Sequence, residues 1–430
     1  MTAFLRALPA LESEPEWMLL GHPVRLPHHR GGWLGDAGED LDEHRDRIGD
    51  RPAATGRHGD ELIATLEQIA LTGHGGGHFP AALKWQVALR AGGGGTVVAN
   101  AAEGEPASGK DAVLVGRRPH LVLDGLVSAG EAVGAVDLVV WLHEGDCAGH
   151  RSISRALSER RAAGLREPSV RVEVGPASYL SGESSAVLRG LAGGPALPQF
   201  RRTPAARDGL RDRPALVHNV ETLARVALAG RLGPAGYRPT TLLTVVGPEH
   251  RTVVEAEPDW TLAESVVVGG GSSAPALLVG GYGGTWIGWP QAQTLAVHEP
   301  TARAAGVCLG AGVLAPLAGA GCGLAYTAAI ANYLAESSAR QCGPCMFGLP
   351  AIASIVADLA AGRAGRGDLR RLDRFTAQVA GRGGCHHPDG AVRLVLSALA
   401  VFADDVIAHR RGRPCAGAGL PVALPIPAVT

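Results

Sequence analysis

The sequence predicts an α/β protein: a central sheet with helices around it, then a smaller α/β module, then a helical C-terminal region. Three observations carry this. Between residues 60 and 225, short apolar runs such as "TVVAN" (96–100) and "DLVVWLHE" (137–144) alternate with segments of helical periodicity. "TTLLTVVGPE" and "HRTVVEAEP" then read as two short strands around the Gly247-Pro248 turn. Beyond Leu324 the periodicity is helical throughout.

Taken in order, residues 1–58 are polar and rich in Pro and His, and they read as an irregular N-terminal extension. Its histidines (His22, His28, His29, His44) show no ligand spacing, so a solvated extension is expected. "DELIATLEQIAL" has apolar residues at 62, 63, 66, 69 and 70 and reads as a helix, with Asp60 as its cap. A glycine loop follows, then a helix from Pro80 to Ala91, since Pro suits a first helical turn. Strands are expected at 96–100, 137–144 and 169–175, and helices over 121–135, 150–163 and from Gly182. Residues 198–214 form a basic connector. Residues 238–300 make the small module, and helices are expected at 324–338, 346–362, 367–380 and 390–411, enough for a four-helix bundle.

A chain of 430 residues exceeds one ordinary core and suggests about two to four domains. The formal net charge of −1 argues against a nucleic-acid partner or a membrane surface held by charge. Two long uncharged segments, 265–297 and 307–335, are rich in Gly and Ala and carry internal Pro. They lack basic or aromatic anchors, so buried core is expected and not a membrane span. No secretory signal is evident, so the seven cysteines are not read as a disulfide framework and the expected location is cytoplasmic. Cys147, Cys308 and Cys322 read as ordinary core cysteines.

Chemistry concentrates in four pieces. "GHGGGHFPAALKW" (73–85) brings Gly73, Gly75, Gly76, Phe79 and Lys84 to a loop before a helix. Such a loop either cradles a phosphate on its backbone amides or is a tight connection between packed helices. "VVANAAEGEPASGKD" (97–111) leaves a buried strand and supplies Asn100, Glu103, Glu105, Lys110 and Asp111, where α/β folds bind ligands. "YLSGESSAVL" places Tyr179, Gly182 and Glu183 at a helix start. "PALVHNVETLARV" places His218, Asn219 and Thr222 before another helix.

In order and spacing these pieces resemble the NADH- and FMN-binding subunit of respiratory complex I and its relatives in NAD-linked hydrogenases and formate dehydrogenases. The resemblance runs from about residue 60 to 410. The family's G-R-G-G-A-G-F-P-T-G-L-K-W is matched by Gly73 through Trp85, and its N-A-D-E-S-E-P-G-T-C-K-D by Asn100 through Asp111. Its Y-I-C-G-E-E-T-A-L and N-N-V-E-T-L-A are matched by the segments from Tyr179 and His218.

The resemblance implies a Rossmann-like FMN/NADH-binding domain (59–232), a ubiquitin-like β-grasp domain of SLBB type (238–300), a helical iron–sulfur domain (320–412) and a tail (413–430). It implies flavin on the Gly73–Lys84 loop, its phosphate near Lys84, Asn219 and Thr222, with Asn100 touching the flavin. Glu105 and Glu183 would shape the place where NADH stacks, for hydride transfer to the flavin. Cys342, Cys345 and Cys385 match three of four ligands of a [4Fe–4S] cluster, with Ala339 at the first position. Four departures stand out: His78 for a glycine, which calls for an unusual backbone angle, Ala102 and Ser184 for two acids, and Ala339 for a cysteine.

With three thiols, a substitute ligand (His386, His387, Cys415 or a small molecule), an incomplete cluster, or a bare Cys342–Cys345 dithiol all remain open. The implied function is an electron-entry subunit, an NADH-dependent oxidoreductase working with other subunits of an electron-transfer complex. The alternatives are a scaffold that has lost its cofactors and a flavoprotein reduced by a ferredoxin-like donor.

Overall fold

The computed structural model describes residues 18–27 and 38–428. His28 and His29 lie outside the described residues. Ten strands fall into two sheets among the described residues. The first strand, β1 (Val24–Pro27), belongs to the second sheet. β2 (Thr96–Asn100), β3 (Asp137–His143), β4 (Val170–Gly175) and β5 (Ala215–Asn219) make a wholly parallel sheet in the order β4-β3-β2-β5. The runs of Val, Leu and Ala in β2, β3 and β5 are buried on both faces, as parallel strands between helices must be, while the edge strand β4 stays partly exposed.

β6 (Thr241–Val246), β7 (His250–Ala256), β8 (Ala276–Val279), β9 (Thr285–Gly288) and β10 (Val313–Pro316) complete the second sheet, ordered β1-β7-β6-β10-β8-β9. Only β10 and β6 pair in parallel there. Side chains alternate along these strands. Leu277, Val279, Ile287 and Leu314 pack into a core with the Leu262–Val268 helix. Ala276, Leu278, Trp286, Val313 and Ala315 face the C-terminal helices. The period-two pattern thus buries this sheet on both sides except at β1, where Arg25 and Pro27 are exposed.

The C-terminal helices run over Gly323–Glu336, Leu349–Ala360, Asp368–Val379, His387–Val401 and Ala403–Arg410. The fourth expected helix is therefore two. Phe402 breaks it at φ −104°, ψ 34°, and its ring packs on Trp286 with centroids 5.3 Å apart. No helix among the described residues is long and apolar enough to cross a membrane.

The N-terminal extension is not irregular throughout. β1 pairs antiparallel with β7, and a helix spans Leu41–Ile48 behind a reciprocal capping box of Asp40 and Glu43. Nor is His44 solvated: it is buried, with Nδ1 3.1 Å from Glu39 and Nε2 2.8 Å from Asp124. A polar, histidine-rich composition hid an element anchored by buried charges. The small module likewise extends past 238–300, since its sheet takes in β1 and β10 from outside that range.

Candidate functional site

β2 and β5 end side by side, and Asn100 and Asn219 are register partners there. From β2 the chain moves outward to β3 and β4, while β5 lies on its other flank. The crevice above the two asparagines is therefore the topological switch point, where parallel sheets bind ligands. A cleft of about 870 Å³ opens at this place.

The glycine loop forms one wall. Its base is closed by the Gly73 amide donating to the Phe79 carbonyl at 2.9 Å and by the Thr72–Pro80 bridge. The His74 amide donates to Thr222 Oγ1 at 2.9 Å, pinning the loop to the first turn of the Val220–Gly236 helix. Gly76 has φ +90° and His78 has φ +45°, so the unusual angle expected at His78 is present. Gly75 and Gly76 line the cleft, and among the described residues neither amide hydrogen-bonds to protein.

Lys84 departs from its implied place. Its Nζ donates to the Val217 carbonyl at 2.9 Å and it does not line the cleft. Burial lowers its pKa to about 8. His218 is also committed to the fold, buried and accepting from Trp85 Nε1 at 2.9 Å. Thr222 is fully buried, Phe79 is half-exposed, and neither lines the cleft.

A lysine that does line it is Lys110. Its Nζ lies 2.7 Å from Asp111, 3.2 Å from Asn219 Oδ1 and 3.0 Å from Glu221. Burial opposes the charge, but Asp111 and Glu221 outweigh it and hold the ammonium above its usual range. Burial pushes Asp111 up to about 6. Burial also works against the Glu221 carboxylate, yet the Lys110 and Arg225 cations hold it far below the ordinary range. His74 stays neutral, burial lowering it to about 3.

The predicted acids are held by backbone amides. Glu103 accepts from the Asp111 and Ala112 amides at 3.2 and 3.3 Å. Glu105 accepts from the Tyr282 amide at 2.9 Å and from the Tyr179 hydroxyl at 3.4 Å. Gly281 runs against it at φ +96°, where a Cβ would lie 2.6 Å from Glu105 Oε2. Asn100 Nδ2 donates to the Gly182 carbonyl at 2.7 Å. Glu183 caps the Ser184–Leu191 helix through the Ser185 and Ala186 amides. Asn100, Glu103, Glu105, Tyr179, Gly182, Glu183 and Asn219 all line the one cleft.

Sequence reasoning missed Phe200, Arg201 and Arg202, which line the cleft from the basic connector. The exposed aromatic beside two arginines in "PQFRRTP" was the available signal.

The same cleft reaches Cys385 and His387. Burial raises Cys345 to about 12, with Cys342 and Cys385 adding to it. Burial also raises Cys385, with Glu183 and Cys342 contributing. For Cys342 burial is outweighed by the Gly384 and Cys345 amides, which hold it below its usual range. The three thiols therefore act on one another and are neighbours near Glu183. Ser338 Oγ lies beside the Cys345 thiol, buried and without a well-aligned hydrogen-bond partner among the described residues. Ala339 offers only a methyl group.

Of the candidate substitutes, His386 is fully exposed and His387 Nε2 is used by the Leu334 carbonyl at 2.8 Å. Cys415 is grouped elsewhere, with Cys322 and His409. The three expected core cysteines differ from one another: Cys147 is exposed, Cys308 lines the cleft and Cys322 is buried.

Residues 66–228 match the family model of the Nuo51 FMN-binding domain, and residues 325–409 that of the NADH-ubiquinone oxidoreductase-F iron-sulfur binding region. The chain is a divergent member of the family of NADH/FMN-binding subunits. The F 2 subunit of NADH-quinone oxidoreductase from Rhizobium meliloti is 27% identical over 381 residues, covering 83% of this chain and 90% of that protein. The HndC subunit of an NADP-reducing hydrogenase from Solidesulfovibrio fructosivorans is 23% identical over 379 residues, covering 83% and 77%. An air-oxidized NAD+-reducing [NiFe]-hydrogenase superposes with a TM-score of 0.73 at 25% identity over 84% of this chain. This chain spans 64% of that hydrogenase chain.

The donor set at the switch point fits the flavin phosphate and ribityl chain of this family. It offers free glycine amides and carboxylates with fixed orientation, while the Asn219 side chain is engaged by Asp111, Lys110 and the Glu221 amide. Three neighbouring thiols and the buried Ser338 hydroxyl beside Cys345 fit a cluster that has lost one of the family's cysteines.

Proposed function

We propose that this chain is the electron-entry subunit of a multi-subunit oxidoreductase, taking electrons from NADH onto FMN and passing them through an iron–sulfur centre to a partner subunit. The observation that carries this reading is the single cleft joining the free Gly75 and Gly76 amides, the Asn100–Asn219 pair and the Cys385 segment.

In this reading 59–232 is the FMN/NADH domain, the second sheet is built on an SLBB-type β-grasp module, and 320–412 is the iron–sulfur domain. The Gly75 and Gly76 amides take the phosphate oxygens, supported by the N-terminus of the Val220–Gly236 helix capped by Asn219. Lys110 lies under the same wall and, with Arg225 paired to Glu221, offsets the charge of Asp111 and Glu221. Asn100, fixed by the Gly182 carbonyl, faces the flavin ring. Glu105 and Glu183, each held by backbone amides, keep their carboxylates still, so that a nicotinamide between them meets one orientation. Phe200 offers an aromatic face to the dinucleotide at the cleft mouth. Bound flavin would supply two-electron acceptance with one-electron release, and a cluster on Cys342, Cys345 and Cys385 a one-electron relay. Ser338 Oγ is the group best placed for the fourth ligand position.

Anaerobic purification with flavin, iron and sulfide analysis tests this reading. Stoichiometric FMN with bound iron supports it. A colourless, iron-free protein under those conditions contradicts it and leaves the scaffold reading.

A further inference from the structure

Away from the cleft, Cys322, His409 and Cys415 bring their ligand atoms within 4.8 Å of one another. Cys322 precedes the Gly323–Glu336 helix, His409 lies in the last turn of the Ala403–Arg410 helix, and Cys415 begins the final segment. Cys322 and Cys415 fall outside the residues matching the family's iron–sulfur region, so that region does not account for the trio.

We propose that Cys322, His409 and Cys415 form a separate binding site for a single thiophilic divalent metal ion, of the zinc class, which fastens the C-terminal segment to the helical domain. Two thiolates and one imidazole are a donor set that selects such ions. Ligand atoms around one tetrahedral zinc stand about 3.5–3.8 Å apart, and Cys322 Sγ lies 3.9 Å from His409 Nε2.

The histidine is already set in a ligand's tautomer. His409 Nδ1 faces the Leu359 and Ala360 carbonyls at 3.2 and 2.9 Å, so Nδ1 carries the proton and Nε2 presents its lone pair. Metal-bound histidines are held in the same manner by a carbonyl on the other nitrogen. The Cys415 amide now donates to that lone pair at 3.0 Å. Metal binding replaces this hydrogen bond with a bond from the metal, the Cys415 thiolate turning inward as its amide turns away. His409 and Cys322 are buried and Cys415 is half-buried, which leaves an approach from the Cys415 side for the ion and for a fourth, exogenous ligand. Each thiol gives up its proton to solvent on binding, and no electron is transferred.

Beyond Cys415, Gly417 is buried against the backbone of Ala320, Gly321 and Cys322. The Ala423 amide donates to the Tyr326 hydroxyl at 3.0 Å, and Val422, Leu424 and Ile426 rest half-buried on the helical core.

The test uses the full chain carrying Cys342→Ser, Cys345→Ser and Cys385→Ser, reduced and titrated with cobalt(II). The expected result is one cobalt per chain, with thiolate-to-cobalt charge transfer and intense tetrahedral d–d bands, lost on adding Cys415→Ser and kept on adding Cys147→Ser. Absence of thiolate charge transfer, or a signal that survives Cys415→Ser, overturns the site. If the triple variant does not fold, alkylation of the native chain decides. Zinc should slow modification of Cys415 at least tenfold and a chelator should restore it, whereas equal rates with and without zinc overturn the proposal.

Discussion

The Lys84 ammonium donates to the Val217 carbonyl at 2.9 Å, beneath the strand end that carries Asn219. That bond decides what Lys84 does here: it supports β5 from below and does not reach into the cleft. Lys84→Ala should destabilise the fold by about 1–3 kcal/mol, because a strand carbonyl loses its donor. FMN per folded chain should stay unchanged. Burial holds the folded pKa near 8 against 10.5 unfolded. Between those values the unfolded chain binds more protons, so wild-type stability from this group rises with pH across that window, and Lys84→Ala should flatten the rise. Denaturation at several pH values, with flavin fluorescence after release, checks both.

Gly76 has φ +90°, and a Cβ there would meet only Gly310, at 3.7 Å. The space is open, so the penalty of Gly76→Val is conformational. Forcing a branched residue to positive φ costs about 1–2 kcal/mol. The loop would move instead, carrying its free amides out of line. FMN affinity should fall roughly tenfold or more, corresponding to about 1.4 kcal/mol, with little change in melting temperature. Flavin titration of apoprotein measures it.

Asp124 is buried among His44, Arg160 and Arg231 and fastens the N-terminal helix to the flavin domain. Burial works against its charge, but these partners hold its pKa far below the ordinary range; Glu39 nearby is lowered to about 2. Both are depressed acids, so their stabilisation is complete above the unfolded carboxylate values and is lost as pH falls through the folded ones. Acid unfolding should therefore set in below about pH 4. Asp124→Asn should destabilise by about 3–5 kcal/mol at neutral pH, since it leaves buried arginines unpaired. Circular dichroism against pH and denaturant reads both effects.

Ser338 and Ala339 compete for the position of the missing cysteine. Spacing from Cys342 points to Ala339, whereas the buried Oγ beside the Cys345 thiol points to Ser338. Ser338→Cys should raise iron and sulfide content toward four per chain, and Ala339→Cys should raise it less. The opposite ranking would place the ligand at 339.

Much of this was legible in the sequence because period and glycine placement are local. The strands "TVVAN" and "DLVVWLHE" and the loop at Gly73 stand where their patterns put them. What was not legible depends on long-range contacts. Nothing near Lys84 in the chain reveals that its partner is Val217. The polar stretch around His44 looks solvated until Asp124 is brought to it by folding. Cys322, His409 and Cys415 are scattered over nearly a hundred positions, too widely for any spacing rule. His78 is the mixed case: its angle followed from a glycine's replacement, but its proximity to Glu299, at 3.4 Å, did not.

The central claim is that the cleft at the Asn100–Asn219 pair receives both flavin and NADH. Anaerobic titration of the purified protein with NADH, followed by flavin absorbance, tests it most directly. Bleaching of the flavin bands by one equivalent of NADH is the predicted result. Bound flavin that dithionite bleaches and NADH does not would contradict the claim and point to a different electron donor.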